Sequence, residues 1–192
     1  MPDQQGVLEA PRRWTADELQ RIDAAGVFSE GEHVELIAGE VLAMSPKGQR
    51  HELLRNRLTV HWARRLPLDK SFAEEPAFRL SDHDEPEPDI ILFDASEDVF
   101  QVRGNTVSLV VEVSDTSYSY DLMVKAPLYA SFGVRDYWVI DARTLMTTIH
   151  RQPRRGAFAE VKEFGPSELI APALVPGLSI RIADLRIAPI GR

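Results

Sequence analysis

Short apolar runs separated by polar breaks, together with two stretches of helical periodicity, predict a mixed α/β fold. Residues 33–44 contain two apolar runs around a glycine, a pattern typical of a β-hairpin. Apolar side chains recur at helical spacing over residues 49–65, and Pro67 should end this amphipathic helix. An earlier short helix is predicted after Thr15 and Glu18, whose spacing is that of a capping box.

The centre of the chain carries the strongest strand signals. Residues 89–93 and 107–113 are short apolar runs with many β-branched residues, which indicates buried central strands. Residues 136–141 form a third such run, and residues 144–150 should pair with it as a hairpin. Residues 70–80 are also predicted to be extended.

A second main helix is predicted between these strands, from residue 121 or later to residue 132. Pro127 fits best in the first turns of a helix, which favours a late start. Two further strands are expected at the periphery, over residues 157–161 and 178–182. Helices that alternate with strands in this way indicate a mixed β-sheet flanked by helices.

The amino-acid composition excludes several kinds of functional site and leaves the predicted fold unchanged. The 192 residues fit one domain, which we place at residues 14–192, after a flexible N-terminal arm at residues 1–13. The chain has no cysteine, so disulfides, thiol nucleophiles and cysteine-bound zinc are excluded. The first residues lack the apolar segment of a signal peptide, and no apolar run approaches the roughly 20 residues that cross a bilayer. We therefore expect a cytoplasmic protein without membrane contact.

The net charge of −8 argues against broad electrostatic attraction to nucleic acid. It leaves room for a local basic path beside an acidic metal centre. Basic residues cluster in two places, namely Arg50, Arg55, Arg57, Arg64 and Arg65 in the first and Arg151, Arg154 and Arg155 in the second. Each cluster is interpreted either as part of such a path or as a solvated face balanced by acids elsewhere.

Two carboxylates stand at the ends of the predicted central strands. Asp89 opens one apolar run and Glu112 nearly closes the next, so antiparallel neighbouring strands would bring them together. A buried carboxylate needs a cation, a network of donors or a proton. A divalent metal with oxygen ligands, such as Mg²⁺ or Mn²⁺, would meet that need. The alternative is that Glu112 pairs with an arginine or with Lys125, and that Asp89 caps a strand.

A longer series of motifs accompanies these carboxylates in order along the chain. It comprises Glu35-Leu-Ile-Ala-Gly-Glu40-Val, Met44-Ser-Pro46, His51, Pro88-Asp89, Glu112-Val-Ser114, Asp121, Lys125, Tyr129, Gly133-Val134 and Tyr137-Trp138-Val-Ile-Asp141. This series resembles the Uma-two family, a branch of the PD-(D/E)XK nuclease superfamily. The resemblance implies a restriction-endonuclease-like α/β fold, in which helices flank a mixed β-sheet with additional β-hairpins. It also implies an endonuclease that hydrolyses phosphodiester bonds of DNA.

The resemblance assigns roles to individual residues. Asp89 and Glu112 would bind Mg²⁺ or Mn²⁺, with the backbone carbonyl of Val113 as a third ligand. The superfamily's lysine, two residues after the glutamate, is replaced here by Ser114, which cannot supply a positive charge. Lys125 on the next helix would orient the attacking water or stabilise the charge that grows on the phosphate. Such a relocated lysine is similar to what this branch of the superfamily shows.

Several neighbouring residues have both a catalytic and a structural interpretation. Glu35 could bind the metal through water, or it could be an exposed strand residue. His51 could contact a phosphate or transfer a proton, or it could be structural. Asp121 could pair with Lys125 four residues later or cap its helix. Tyr129 and Trp138 are expected to pack in the core rather than to stack on bases, and the latter residue lies in a predicted buried strand.

Three functions remain open from the sequence. The leading hypothesis is a metal-dependent phosphodiesterase acting on DNA, for which a homodimer would be natural if both strands are cut. The second is a catalytically inactive protein of the same fold that binds nucleic acid or another partner. The third is a homodimeric scaffold without a nucleic-acid role.

Overall fold

A two-stranded hairpin and a six-stranded mixed sheet form the frame of the protein. The structure is a computed structural model, and it describes residues 11–29 and 31–190. Most of the predicted N-terminal arm therefore lies outside the described residues. The strands are β1 (Val34–Ile37), β2 (Glu40–Ala43), β3 (Lys70–Glu74), β4 (Ile90–Asp94), β5 (Leu109–Ser114), β6 (Asp136–Asp141), β7 (Thr147–Arg154) and β8 (Ala157–Phe164). The hairpin is β1–β2, as predicted, and the large sheet has the order β3-β4-β5-β6-β7-β8.

One neighbouring pair of strands in the large sheet is parallel. β5 and β6 run parallel, and every other neighbouring pair is antiparallel. Every residue of β5 and β6 is buried, which explains why their sequences are nearly continuous apolar runs instead of alternating ones. The predicted mixed sheet and its central strands are confirmed.

Helices lie on both faces of this sheet and against the hairpin. They are α1 (Ala16–Ala24), α2 (Gln49–Ala63), α3 (Tyr118–Tyr120) and α4 (Ala126–Ser131), with a π-helical turn at Asp121–Lys125 between the last two. Leu54, Leu58 and Trp62 of α2 pack on one face of the sheet. Ala126 and Tyr129 of α4 pack on the other. Within the described residues, no helix is both long and apolar enough to span a membrane.

The second main helix begins earlier than predicted, because the chain accommodates its proline by a change of helix type. The amide of Ala126 donates to the carbonyl of Asp121, five residues back, as π geometry requires. This wider turn sets Pro127 in the first turn of α4, where the missing N–H costs little. The helical segment can therefore start at Tyr118 and continue past the proline.

Two strand predictions were wrong in part or in whole. β3 ends at Glu74, because Glu75 adopts a left-handed backbone with φ of 51° and Pro76 follows. Residues 178–182 contain no strand, and 3-10 turns at Pro176–Leu178 and Ile182–Leu185 flank a single bridge between Ile170 and Ile180. This segment packs against α2, with Leu178, Ile180 and Ile182 in the same apolar cluster as Leu58 and Trp62. The indole N–H of Trp62 donates to the carbonyl of Leu178 at 3.0 Å.

The arginines of α2 anchor this C-terminal segment. Arg57 donates to the carbonyls of Leu185 and Arg186 at 2.6 and 2.8 Å. Arg50 donates to the carbonyls of Arg143 and Ala188. These two guanidinium groups satisfy backbone acceptors in irregular segments. They therefore belong to neither the basic path nor the solvated face that the sequence suggested.

Asp136→Ala is expected to destabilise the fold strongly. The buried Asp136 carboxylate accepts hydrogen bonds from the Trp138 indole at 2.9 Å, from Arg151 at 2.9 and 3.1 Å, and from the Ala173 amide at 2.7 Å. Its loss leaves the Trp138 indole, the Arg151 Nε group and the Ala173 amide without their acceptor, so the free energy of unfolding in urea should fall by about 3 kcal/mol or more. Glu160→Ala is the control, because Glu160 lies across from Arg151 at the exposed edge strand. Equal stability of both variants would contradict this role for Asp136.

Candidate active site

The candidate site lies where β4 begins and β5 ends. The two strands are antiparallel, with Ile90 opposite Val111, so continuing the register by one residue sets Asp89 opposite Glu112. The Oδ2 atom of Asp89 accepts a hydrogen bond from the amide of Val113 at 2.7 Å. The structure thus brings the two predicted carboxylates together at one end of the sheet.

Asp89 is held by two basic side chains. Its Oδ1 atom lies 2.9 Å from Nε2 of His51 on α2 and 3.2 Å from Nζ of Lys47 in the loop before α2. Burial alone would raise the pKa of Asp89, but the hydrogen bond from His51 and the charges of His51 and Lys47 bring that pKa below its ordinary value. Asp89 is therefore ionised at neutral pH.

Glu112 is in a different electrostatic state. Its Oε1 atom accepts hydrogen bonds from Lys125 Nζ at 2.9 Å and from the Tyr129 hydroxyl at 3.1 Å. Burial raises the pKa of Glu112 well above its ordinary value, and the charges of Asp121, Asp89 and Glu35 raise it further, although Lys125 opposes them. The pairing of Glu112 with Lys125 that the sequence left as an alternative is thus present.

Lys125 projects from the π-helical turn into a ring of carboxylates. Its Nζ atom lies 2.6 Å from Glu35, 2.9 Å from Glu112 and 3.9 Å from Asp121. Burial alone would lower the pKa of Lys125, but the charge of Glu112 when it is ionised, together with the charges of Glu35 and Asp121, holds the pKa well above the ordinary value. The ammonium is therefore charged and fixed in position.

Glu35 is buried, so its interpretation as an exposed strand residue is wrong. It is the second residue of β1, and its carboxylate also accepts a hydrogen bond from the amide of Glu87 at 2.9 Å. The hairpin therefore docks on the large sheet partly through the same carboxylate that holds Lys125.

Asp121 follows the last residue of α3, but its side chain does not cap a helix, which corrects the structural interpretation of this residue. Its carboxylate accepts hydrogen bonds from the hydroxyls of Ser114 and Ser117, the latter at 2.7 Å. Ser114, at the position of the superfamily's lysine, thus fixes a carboxylate that faces Lys125. Tyr129 and Trp138 are fully buried, as expected.

Comparison with known proteins gives the family. The Uma2 family model, described as "Putative restriction endonuclease", matches residues 16–184. The chain belongs to the Uma2 family. Its structure resembles the crystal structure of "a putative nuclease belonging to DUF820" from Anabaena variabilis, with a TM-score of 0.69, 18% sequence identity and coverage of 89% of this chain and 96% of that chain. No curated protein matches the sequence.

These comparisons confirm the predicted family and the restriction-endonuclease-like fold. Membership of the Uma2 family supports a nuclease-like function. In this Uma2 protein the candidate site opens into a cavity of about 470 Å³, which Asp89, Glu112, Asp121, Glu35, His51 and Lys125 border.

The donors at this cavity suit a hard divalent cation. Three carboxylates with side-chain exposure of 5% or less surround the buried Lys125, and a fourth, Asp89, lies opposite Glu112. Burial raises the pKa of Glu112 and so favours its protonated form. A divalent cation could replace that proton. No group of three or more His, Asp or Glu side chains within residues 11–29 and 31–190 is arranged as a ready-made metal site. Two carboxylates, a backbone carbonyl and several waters remain a suitable set for Mg²⁺, which keeps much of its hydration.

Two residues of the site escaped the sequence analysis. Lys47 is a lone lysine in a loop, and only the fold brings it to Asp89. Tyr120 borders the same cavity, where burial and then the charge of Glu35 raise its pKa to about 12. Neither residue belongs to a spacing that would mark it in advance.

Glu112→Gln is expected to remove a pH dependence of stability. The pKa of Glu112 in the folded protein lies well above its ordinary value of 4.5, so the folded state keeps a proton that the unfolded chain has released. The stabilisation of the fold that depends on this proton is fully present below the pKa of Glu112 in the unfolded chain. It is lost as the pH rises toward the pKa of Glu112 in the folded protein. In chelator-treated protein, the glutamine variant should therefore gain stability relative to wild type as the pH rises above the ordinary glutamate pKa of 4.5.

Urea unfolding at several pH values measures this difference. Glu40→Gln serves as the control, because Glu40 is an exposed residue of β2. If the curves for wild type and Glu112→Gln stay parallel over the whole pH range, Glu112 does not hold a proton in the folded state.

Proposed function

We propose that this Uma2 protein is a metal-dependent endonuclease that hydrolyses phosphodiester bonds of DNA. The observation that carries the proposal is the excess of buried carboxylates around Lys125 at an open cavity. A carboxylate that is buried without a full counter-charge lowers the stability of the fold, so stability does not explain this arrangement. It is useful if a divalent cation and a negatively charged substrate enter together.

Asp89 and Glu112 are the proposed ligands of Mg²⁺ or Mn²⁺, with the backbone carbonyl of Val113 as a third. A bound cation of this kind polarises a phosphoryl oxygen and lowers the pKa of bound water. Asp89 is suited to this role because its low pKa keeps it ionised. Glu112 would bind as its proton leaves.

Lys125 supplies the fixed positive charge. Its ammonium lies 2.9 Å from Glu112, so it would face any group held by that carboxylate, and its raised pKa keeps it protonated. We propose that it stabilises the charge that grows on the phosphate, or orients the attacking water. Glu35 positions Lys125 at 2.6 Å, whereas its water-mediated contact with the metal remains a prediction.

His51 positions Asp89 through the 2.9 Å contact with its Oδ1 atom. Contact with a phosphate, or transfer of a proton, remains a further prediction for His51. The homodimer and the cytoplasmic location also remain predictions.

The alternative of an inactive nucleic-acid-binding protein has less support. It relied on Ser114 in place of the superfamily's lysine, but Lys125 brings an ammonium to Glu112 from the helical side. It would also need a basic surface, and Arg50 and Arg57 are engaged with backbone carbonyls. A site that attracts its substrate through a bound cation fits these contacts better.

Asp89→Asn, Glu112→Gln and Lys125→Met should each reduce cleavage by about 100-fold or more, because each removes a metal ligand or the charge that faces the phosphate. Initial rates on supercoiled plasmid and on labelled single-stranded and duplex oligonucleotides, with Mg²⁺ or Mn²⁺ and with a chelator, measure this effect.

Asp94→Asn is the matched control. Asp94 is the last residue of β4, the strand that begins directly after Asp89, and the Asp94 side chain is half exposed. This variant should cleave like wild type. Cleavage that survives in Asp89→Asn and Glu112→Gln, or that proceeds equally in the chelator, would reject the proposed mechanism. An RNA substrate in the same assay tests the choice of DNA.

A further inference from the structure

Lys47 lies at the candidate site, but the proposed mechanism gives it no role. It lies in the loop between β2 and α2, and its ammonium is 3.2 Å from Oδ1 of Asp89 while it also forms an ion pair with Glu75. The side chain borders the active-site cavity and a neighbouring cavity of about 450 Å³. Lys47 therefore stands at the junction of two openings, in direct contact with a proposed metal ligand.

The oxygens of Asp89 are already occupied. Oδ2 accepts from the Val113 amide at 2.7 Å, and Oδ1 is shared between His51 Nε2 at 2.9 Å and Lys47 Nζ at 3.2 Å. A Mg²⁺ ion binds a carboxylate oxygen at about 2.1 Å, so it would come within a few ångströms of the Lys47 ammonium. Two cations at that separation repel each other strongly in a partly buried site.

Lys47 is better able to leave than His51. His51 is built into α2, and its side chain is 7% exposed. Lys47 is on a loop, its side chain is 17% exposed, and it has a second anionic partner in Glu75. Departure from Asp89 would therefore leave the ammonium paired.

Glu75 is fixed next to Asp89 by its own backbone. Its φ of 51° is uncommon for a residue with a β-carbon, and its amide donates to the carbonyl of Asp89 at 3.2 Å. Its carboxylate also forms an ion pair with Arg55 at 2.9 Å. Glu75 is thus a stable acceptor that stays in place whether or not Lys47 contacts Asp89.

We infer that Lys47 is the resident counter-ion of Asp89, that a divalent cation displaces it, and that Glu75 retains it beside the site. Lys47 is then a positioning residue that lowers the affinity of the site for metal. It also keeps Asp89 neutralised when no metal is bound. This inference rests on the proposed function, because it takes Asp89 as a metal ligand.

Calorimetric titration of the metal-stripped full chain with MnCl₂ tests the inference. Lys47→Met should bind Mn²⁺ more tightly than wild type, by about fivefold or more, because the competing charge is gone. Lys47→Arg should bind like wild type, since it restores the charge. Lys70→Met is the matched control, because Lys70 has 16% side-chain exposure and an aspartate partner away from the site, and it should change nothing.

Glu75→Gln should act in the opposite direction. Without the Glu75 charge, Lys47 depends on Asp89 alone and competes harder, so Mn²⁺ should bind more weakly. A loss of negative charge near the site would also weaken binding, and the double variant with Lys47→Met separates the two causes. If Lys47 is the mediator, Glu75→Gln should have a smaller effect in the Lys47→Met background than in wild type.

Each outcome of these titrations is decisive. Unchanged or weaker Mn²⁺ binding by Lys47→Met, with binding by wild type that Glu112→Gln abolishes, rejects the counter-ion role and leaves the proposed function supported. Binding by Lys47→Met and not by wild type supports the counter-ion role. Absence of binding in both wild type and Lys47→Met rejects the metal site of the proposed function and the counter-ion role with it.

Discussion

The buried ammonium of Lys125 and the acids around it constrain much of this structure. A charged lysine can remain in a buried site only if acceptors surround it, and here the acceptors come from three separate elements. Glu35 belongs to β1, Glu112 to β5 and Asp121 to the π-helical turn. The docking of the hairpin, the end of the central sheet and the geometry of the helical segment therefore depend on one cluster of charges. A change at any of these residues affects fold and site together.

The central sheet could be predicted from the sequence because its signals are local. The apolar run that Asp89 opens and the run that Glu112 nearly closes indicate two buried strands, and antiparallel pairing is enough to bring these carboxylates together. The π-helical turn could not be predicted in this way. The residue types from Asp121 to Lys125 do not by themselves distinguish π from α geometry. The choice depends on the proline that follows together with the helix face that must be buried against the sheet.

Charged residues were harder to interpret, because their partners are distant in sequence. The spacing of arginines in α2 suggests a surface feature, but Arg57 pairs with carbonyls more than 120 residues away. Those carbonyls belong to a segment without regular strand pairing, so they need donors from elsewhere. Glu35 and Lys47 pose the same problem at the site. Each looks like an ordinary exposed residue until the hairpin and the loop after it are placed against the sheet.

Ser114 stands two residues after Glu112, where the resemblance leads one to expect a lysine, and Lys125 brings an ammonium to Glu112 from another element. Residues two apart on a strand point to the same side, so a lysine at this position would start from the same face as Glu112. In this protein the Ser114 hydroxyl instead donates to Asp121, and that carboxylate faces Lys125. The ammonium reaches Glu112 at 2.9 Å from the helix, and the former lysine position helps to hold the acid beside it. The proposed chemistry needs a positive charge near Glu112, and in this structure the helical segment supplies that charge.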